Sequence, residues 1–70
     1  MSLPYSPRAS YFGAILLTAN SRDTPEGRVR SINALQDQAL TDDCLTAHDL
    51  AFVLLACDHW KAAIQRGQIP

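Results

Sequence analysis

The side chains best suited to hold a soft metal are Cys44, His48, Cys57 and His59. A zinc site needs pairs that converge on one point, typically with about two to five residues between the members of each pair. Cys44 and His48 can meet around a helix start. Cys57 and His59 cannot, because two residues along a helix turn their side chains about 200° apart. Neither a metal site nor any other cofactor is therefore expected.

Two neighbouring pairs, His48-Asp49 and Asp58-His59, have the composition of acid–base catalysts. Adjacent helical residues point about 100° apart, however, and do not converge on one proton. Asp49 is better explained as a helix-start residue and His48 as a first-turn surface residue. Asp58 reads as a surface carboxylate near Lys61, and His59 as a polar tip on an otherwise buried face. No serine, cysteine or lysine stands in a nucleophile motif, and no glycine-rich phosphate loop is present. A chain of 70 residues also rarely encloses a substrate pocket by itself. No catalytic residue is expected, and the chain does not read as an enzyme.

Arg22, Arg28 and Arg30 are the candidates for phosphate contact, the last two on the outer side of a second helix. Helices two and three can be drawn as a helix-turn-helix. The helix in the recognition position carries Asp49 and Asp58 and is otherwise largely apolar, so it lacks base-reading side chains. A nucleic-acid-binding regulator using these three arginines is thus the alternative reading and not the favoured one.

The elements that must position these residues are punctuated clearly. Ser6-Pro7 is a helix start, with a capping oxygen followed by proline in the first turn. The first helix is expected over 7–19, with Phe12, Ile15, Leu16 and Ala19 on one face and Ser10, Gly13, Ala14 and Leu17 on a second. Thr24-Pro25-Glu26 repeats the start signal, with an acid at the positive end of the helix dipole. Helix two runs over 25–39, with Val29, Ile32, Leu35 and Ala39 inward and Arg28, Arg30, Ser31, Asn33, Asp37 and Gln38 outward. Thr46 and Asp49 form a capping box flanked by the staple residues Leu45 and Leu50, so helix three spans 46–66 and stops before Gly67. Leu50, Val53, Leu54, Cys57, Trp60 and Ile64 share its inner face. Strand signals are absent. The reading is all-α: a single domain over 1–70, a small three-helix bundle with short extended tails.

Bulk properties narrow the function further. The formal net charge of −1 does not point to nucleic acid or an anionic membrane. Residues 1–35 carry four arginines against Asp23 and Glu26, whereas 36–70 carry Lys61 and Arg66 against five aspartates. A dipole of that kind could help two copies pair head to tail or dock an acidic end on a basic partner, but a solvated surface of mixed charge is the simpler and favoured reading. Two cysteines make no disulfide framework, and both are expected to be reduced, which fits the cytoplasm. Residues 11–19, with Arg8 before them, loosely mimic a short signal peptide, but the apolar stretch is brief and Gly13 interrupts it. No run approaches the ~20 apolar residues a membrane span needs.

The positive functional signal is a surplus of apolar surface. The apolar fraction is 47%, and a chain this short buries only about 60% of its unfolded surface. Helix one has two apolar faces, and helix three carries Phe52, Leu55 and Ala62 away from its inner face. Three helices cannot hide all of this, and exposed apolar patches mark interfaces. The rival expectation is that Leu3, Tyr5 and Ile69 fold back to cover it. The partner-binding residues are expected to be Phe52, Leu55, Asp58, His59 and Ala62. The expected partners are another protein and a second copy of the chain, as a homodimer or larger.

The segment L-T-A-H-D-L-A-F-V-L-L-A-C-D-H-W-K-A-A-I at 45–64 resembles the third helix of the Hha/YmoA family of small bacterial expression modulators. The matching elements are Leu45, Thr46, the pair Asp49-Leu50 and the run Ala56-Cys57-Asp58-His59, with weaker echoes at Tyr11 and Asp23-Thr24. The resemblance implies a helical, non-enzymatic partner of a nucleoid-structuring protein, with Asp58 facing basic side chains of that partner. The chain departs from the family in a longer stretch between helices two and three. It also lacks the basic run in helix one and the tryptophan-bearing final segment.

Overall fold

Local chemistry sets the helix ends. A computed structural model describes residues 7–69, in which α1 is Pro7–Ala19, α2 is Pro25–Leu40 and α3 is Ala47–Gln65. The expected Ser6 cap and the tail residues Leu3 and Tyr5 lie outside the described residues.

Thr24 is the N-cap of α2, its Oγ1 accepting from the Gly27 amide at 3.0 Å, and Pro25 occupies the first helical position. Thr46 caps α3 in the same way, accepting from the Asp49 amide at 3.1 Å. The capping box is only half formed, because the Asp49 carboxylate turns to Arg8 of α1, Nη1 to Oδ1 at 3.3 Å. At the far end of α3, Gly67 adopts φ +72°. The Gln68 amide bonds the Ala63 carbonyl, and the Gly67 amide bonds the Ile64 carbonyl. These two bonds are the Schellman closure, and glycine is needed because a Cβ disfavours the left-handed backbone.

Each helix packs on both of the others. Arg8 reaches Asp49, so α1 and α3 start at the same end of the bundle. Arg28 reaches Ala19, and Lys61 reaches Asn33 and Gln36, so α2 runs against both. The order is up-down-up, and no strand occurs among the described residues.

Ile15, Ile32, Val53 and Cys57 are the largest fully buried side chains, one or two from each helix, with Tyr11, Ala19, Ala39 and Ile64 completing the core. Burial of each Ile or Val contributes about 1.5–3 kcal/mol relative to exposure. Phe12, Val29, Leu35, Leu45, Leu50, Trp60 and Ile69 pack half-buried against this cluster. Ile69 folds back against the core itself, while Leu16, Leu17, Phe52 and Leu55 remain exposed.

Two inward-outward assignments change. Arg28, read as an outer residue, is only 3% exposed, and its Nη1 donates to the Ala19 carbonyl at 2.7 Å. The guanidinium closes the C-terminus of α1, where a cation also opposes the helix dipole. Leu16, read as a core residue, is exposed, and Tyr11 takes the inner position instead, one turn before Ile15. Gly13, on the second apolar face of α1, has open space beside it, for a Cβ built there meets nothing within 4 Å among the described residues.

Candidate functional site

The inner residues of α3 leave an opposite face with its own chemistry. Phe52 is 43% exposed and Leu55 64% exposed, and His48, Asp58 and His59 are exposed around them. The spacing 48, 52, 55, 59 keeps the two histidines, the phenylalanine and the leucine within about 60° of one another around the helix. Ala62, the next residue of the stripe, is half-buried.

This face borders α1. The Arg8 guanidinium sits 5.9 Å from the Phe52 ring centroid while pairing with Asp49, which ties the starts of the two helices together. The Phe52 ring also meets the His48 ring edge-on, with centroids 4.9 Å apart, and His59 meets Trp60 the same way at 5.2 Å. Both histidines therefore lie beside aromatic carbon at the rim of the stripe. On α1, Ala9, Gly13 and Leu16, with Asn20 just past its end, are exposed with the same four-three-four spacing, and Leu17, 75% exposed, points away to one side of them. The α3 part of this outer face is thus apolar at its centre and carries a histidine at each end.

Asp58 stands at the edge of this face, exposed, with Lys61 Nζ at 3.8 Å. Lys61 is held elsewhere, donating to Asn33 Oδ1 and Gln36 Oε1 at 2.9 Å each. It pins α3 to α2 and leaves the Asp58 carboxylate only a long contact, so Asp58 is open to a cation from outside. The structure thus places Phe52, Leu55, Asp58 and His59 together on one accessible face, with Ala62 at its half-covered margin.

The other candidates separate. Arg22 and Arg30 are exposed, but Arg28 is enclosed against the α1 C-terminus, so the expected three-arginine surface has only two members. Cys44 and Cys57 form no disulfide; Cys44 is exposed in the α2–α3 turn and Cys57 is in the core. Burial pushes the Cys57 thiol up from its ordinary value, which keeps it protonated and inert. Among the described residues no group of three His, Cys, Asp or Glu side chains is placed to hold a metal. An open cleft of about 740 Å³ lies between the start of α2 and the end of α3, floored by Val29 and Ile64 and edged by Glu26 and Arg30. It contains neither a nucleophile nor a histidine.

Tyr11 was not singled out for its chemistry, yet its hydroxyl donates to Asp42 Oδ2 at 2.7 Å across the bundle. That bond, followed by the Cys44 amide donating to Asp42 Oδ1 at 2.9 Å, holds the Asp42 carboxyl below its ordinary value. The signal for Tyr11 was its spacing of four from Ile15 and eight from Ala19. The signal for Arg28 was a charge standing one turn before Ile32, in register with Leu35 and Ala39.

The fold and its surface define a small all-α three-helix bundle with a half-apolar outer face. No helix among the described residues is long and apolar enough to cross a membrane. The chain matches no protein-family model, no curated protein and no solved structure.

Proposed function

We propose that this is a non-enzymatic interaction protein, bacterial and cytoplasmic, that works by docking another polypeptide on the outer face of α1 and α3. The observation that carries the reading is the exposure of Phe52 and Leu55 on one face of α3, in a chain with so small a core. Exposed leucines scattered singly need no explanation, but Phe52 and Leu55 lie one turn apart on one face of α3, with further exposed leucines on the helix beside it. The resemblance of 45–64 to the Hha/YmoA helix supports a regulatory role exercised through a protein partner. The open Asp58 carboxylate is suited to meet a basic side chain there. Nucleic-acid binding has weaker support, since Arg28 is committed to the fold.

The test is Leu55→Glu. The variant should keep its helical circular dichroism and lose association with any polypeptide, whether assessed by solution mass or by recovery from lysate. Unchanged association by both measures overturns the reading.

A further inference from the structure

We infer that the occupant of this face is a second copy of the chain, paired antiparallel through α3. This rests on the reading of the outer α1/α3 face as a docking surface.

The first argument is symmetry. The stripe His48, Phe52, Leu55, His59 has spacing four-three-four, which reads the same in both chain directions. A two-fold axis passing between residues 53 and 54 sets Phe52 against Leu55 of the second copy and His48 against its His59, each contact occurring twice. Isologous interfaces require this self-complementarity. The exposed stripe of α1, Ala9, Gly13 and Leu16, continued by Asn20 just past the helix end, has the same spacing. The same axis brings Leu16 toward Gly13 of the other copy. Glycine inside a helix is destabilising, and here nothing among the described residues fills the space beside it. A leucine from a facing helix fills it.

The second argument is charge. The half of the bundle containing the α3 start holds Arg8 against Asp37, Asp42, Asp43 and Asp49, a net −3. The half containing its end holds five basic residues, Arg22, Arg28, Arg30, Lys61 and Arg66, against Asp23, Glu26 and Asp58, a net +2. Antiparallel pairing lays each acidic half beside the basic half of the other copy. Parallel pairing lays like on like and is repelled. The product is a four-helix layer of α1 and α3 from each chain, with α2 outside.

The experiment is light scattering on the full chain over a wide concentration range, with Leu55→Glu, with Gly13→Leu, and at rising salt. A dimer is expected. Each substitution should raise its dissociation constant by about 30-fold or more, as for a central interface residue. Salt should raise it severalfold by screening the two charged ends. Gly13→Leu improves helix propensity in open space, so loss of the dimer there cannot be attributed to unfolding. Orientation is read in a Cys44→Ser background by mixing His48→Cys and His59→Cys chains. Disulfides should form between positions 48 and 59 and not between two copies of 48, which lie about 16 Å apart along the antiparallel pair. Preferential 48–48 crosslinking overturns the antiparallel pairing. A monomer that captures a different protein in a Leu55-dependent way overturns the second-copy inference and leaves the docking reading standing. A monomer indifferent to Leu55, or a dimer indifferent to Leu55 and Gly13, overturns both.

Discussion

Helix α3 has two apolar faces with different fates. On the inner one, Val53, Cys57 and Ile64 are enclosed by α1 and α2; on the outer one, Phe52 and Leu55 meet solvent. The residue types are similar, and the difference lies entirely in which neighbour stands opposite. The inner face maintains the fold, so its side chains touch closely packed atoms on every side. The outer face contributes little to the isolated chain and is available for association. Such a division is expected where a small core carries stability and function must be placed on the remaining surface.

The largest effect should separate the two faces directly. Ile64→Ala removes a buried side chain and should cost about 2–5 kcal/mol in urea unfolding. Leu55→Glu should change the stability of the isolated chain by no more than about 0.5 kcal/mol. Equal losses would erase the distinction between the faces.

Arg28→Ala comes next. It leaves the Ala19 carbonyl without its donor in a buried setting and should cost about 1–3 kcal/mol, with Arg28→Lys recovering part of it. If Arg28→Ala instead left stability unchanged, Arg28 would rejoin the outer surface and the arginine reading would regain its third member.

Thiol chemistry sharpens the same contrast. A disulfide reagent should modify Cys44 in the native chain and reach Cys57 only after denaturation, since burial both covers and protonates the second thiol. Rapid native modification of both would place Cys57 outside the core.

The smallest effect is at the Tyr11–Asp42 bond. Because the Asp42 carboxyl is held below its ordinary value, its contribution is present above the unfolded carboxylate range near ~3.9 and is lost as pH falls through the lower folded value. Tyr11→Phe should therefore be slightly destabilising at neutral pH, with the gap to the parent chain closing in acid. A gap that persists at low pH would assign Tyr11 to packing alone.

The helix limits were legible because their causes are local. Thr24-Pro25, Thr46-Asp49 and Gly67 each act within one turn of chain, where the competing alternatives are few. The inner face of α3 was largely legible too, since Leu50, Val53, Cys57, Trp60 and Ile64 recur at helical spacing and meet the core, although Leu54, expected with them, does not and Ala63 is buried in addition. The outer stripe of Phe52, Leu55, Asp58 and His59 followed by difference.

What only the tertiary structure decided is the set of choices between two plausible faces. In α1, the stripe of Tyr11, Ile15 and Ala19 and that of Phe12, Leu16 and Ala19 are both apolar, and periodicity alone does not rank them. The angle at which α2 and α3 meet α1 does, and it turns Tyr11 inward, where its hydroxyl finds Asp42 from a distant turn. Arg28 likewise looks like an outer charge until the end of α1 arrives beside it with an open carbonyl. The sequence by itself determined where each helix starts and stops, because capping and backbone freedom are short-range. Which side of α1 and which end of α2 became interior depended on contacts between residues far apart in the chain, and these exist only once the three helices have packed.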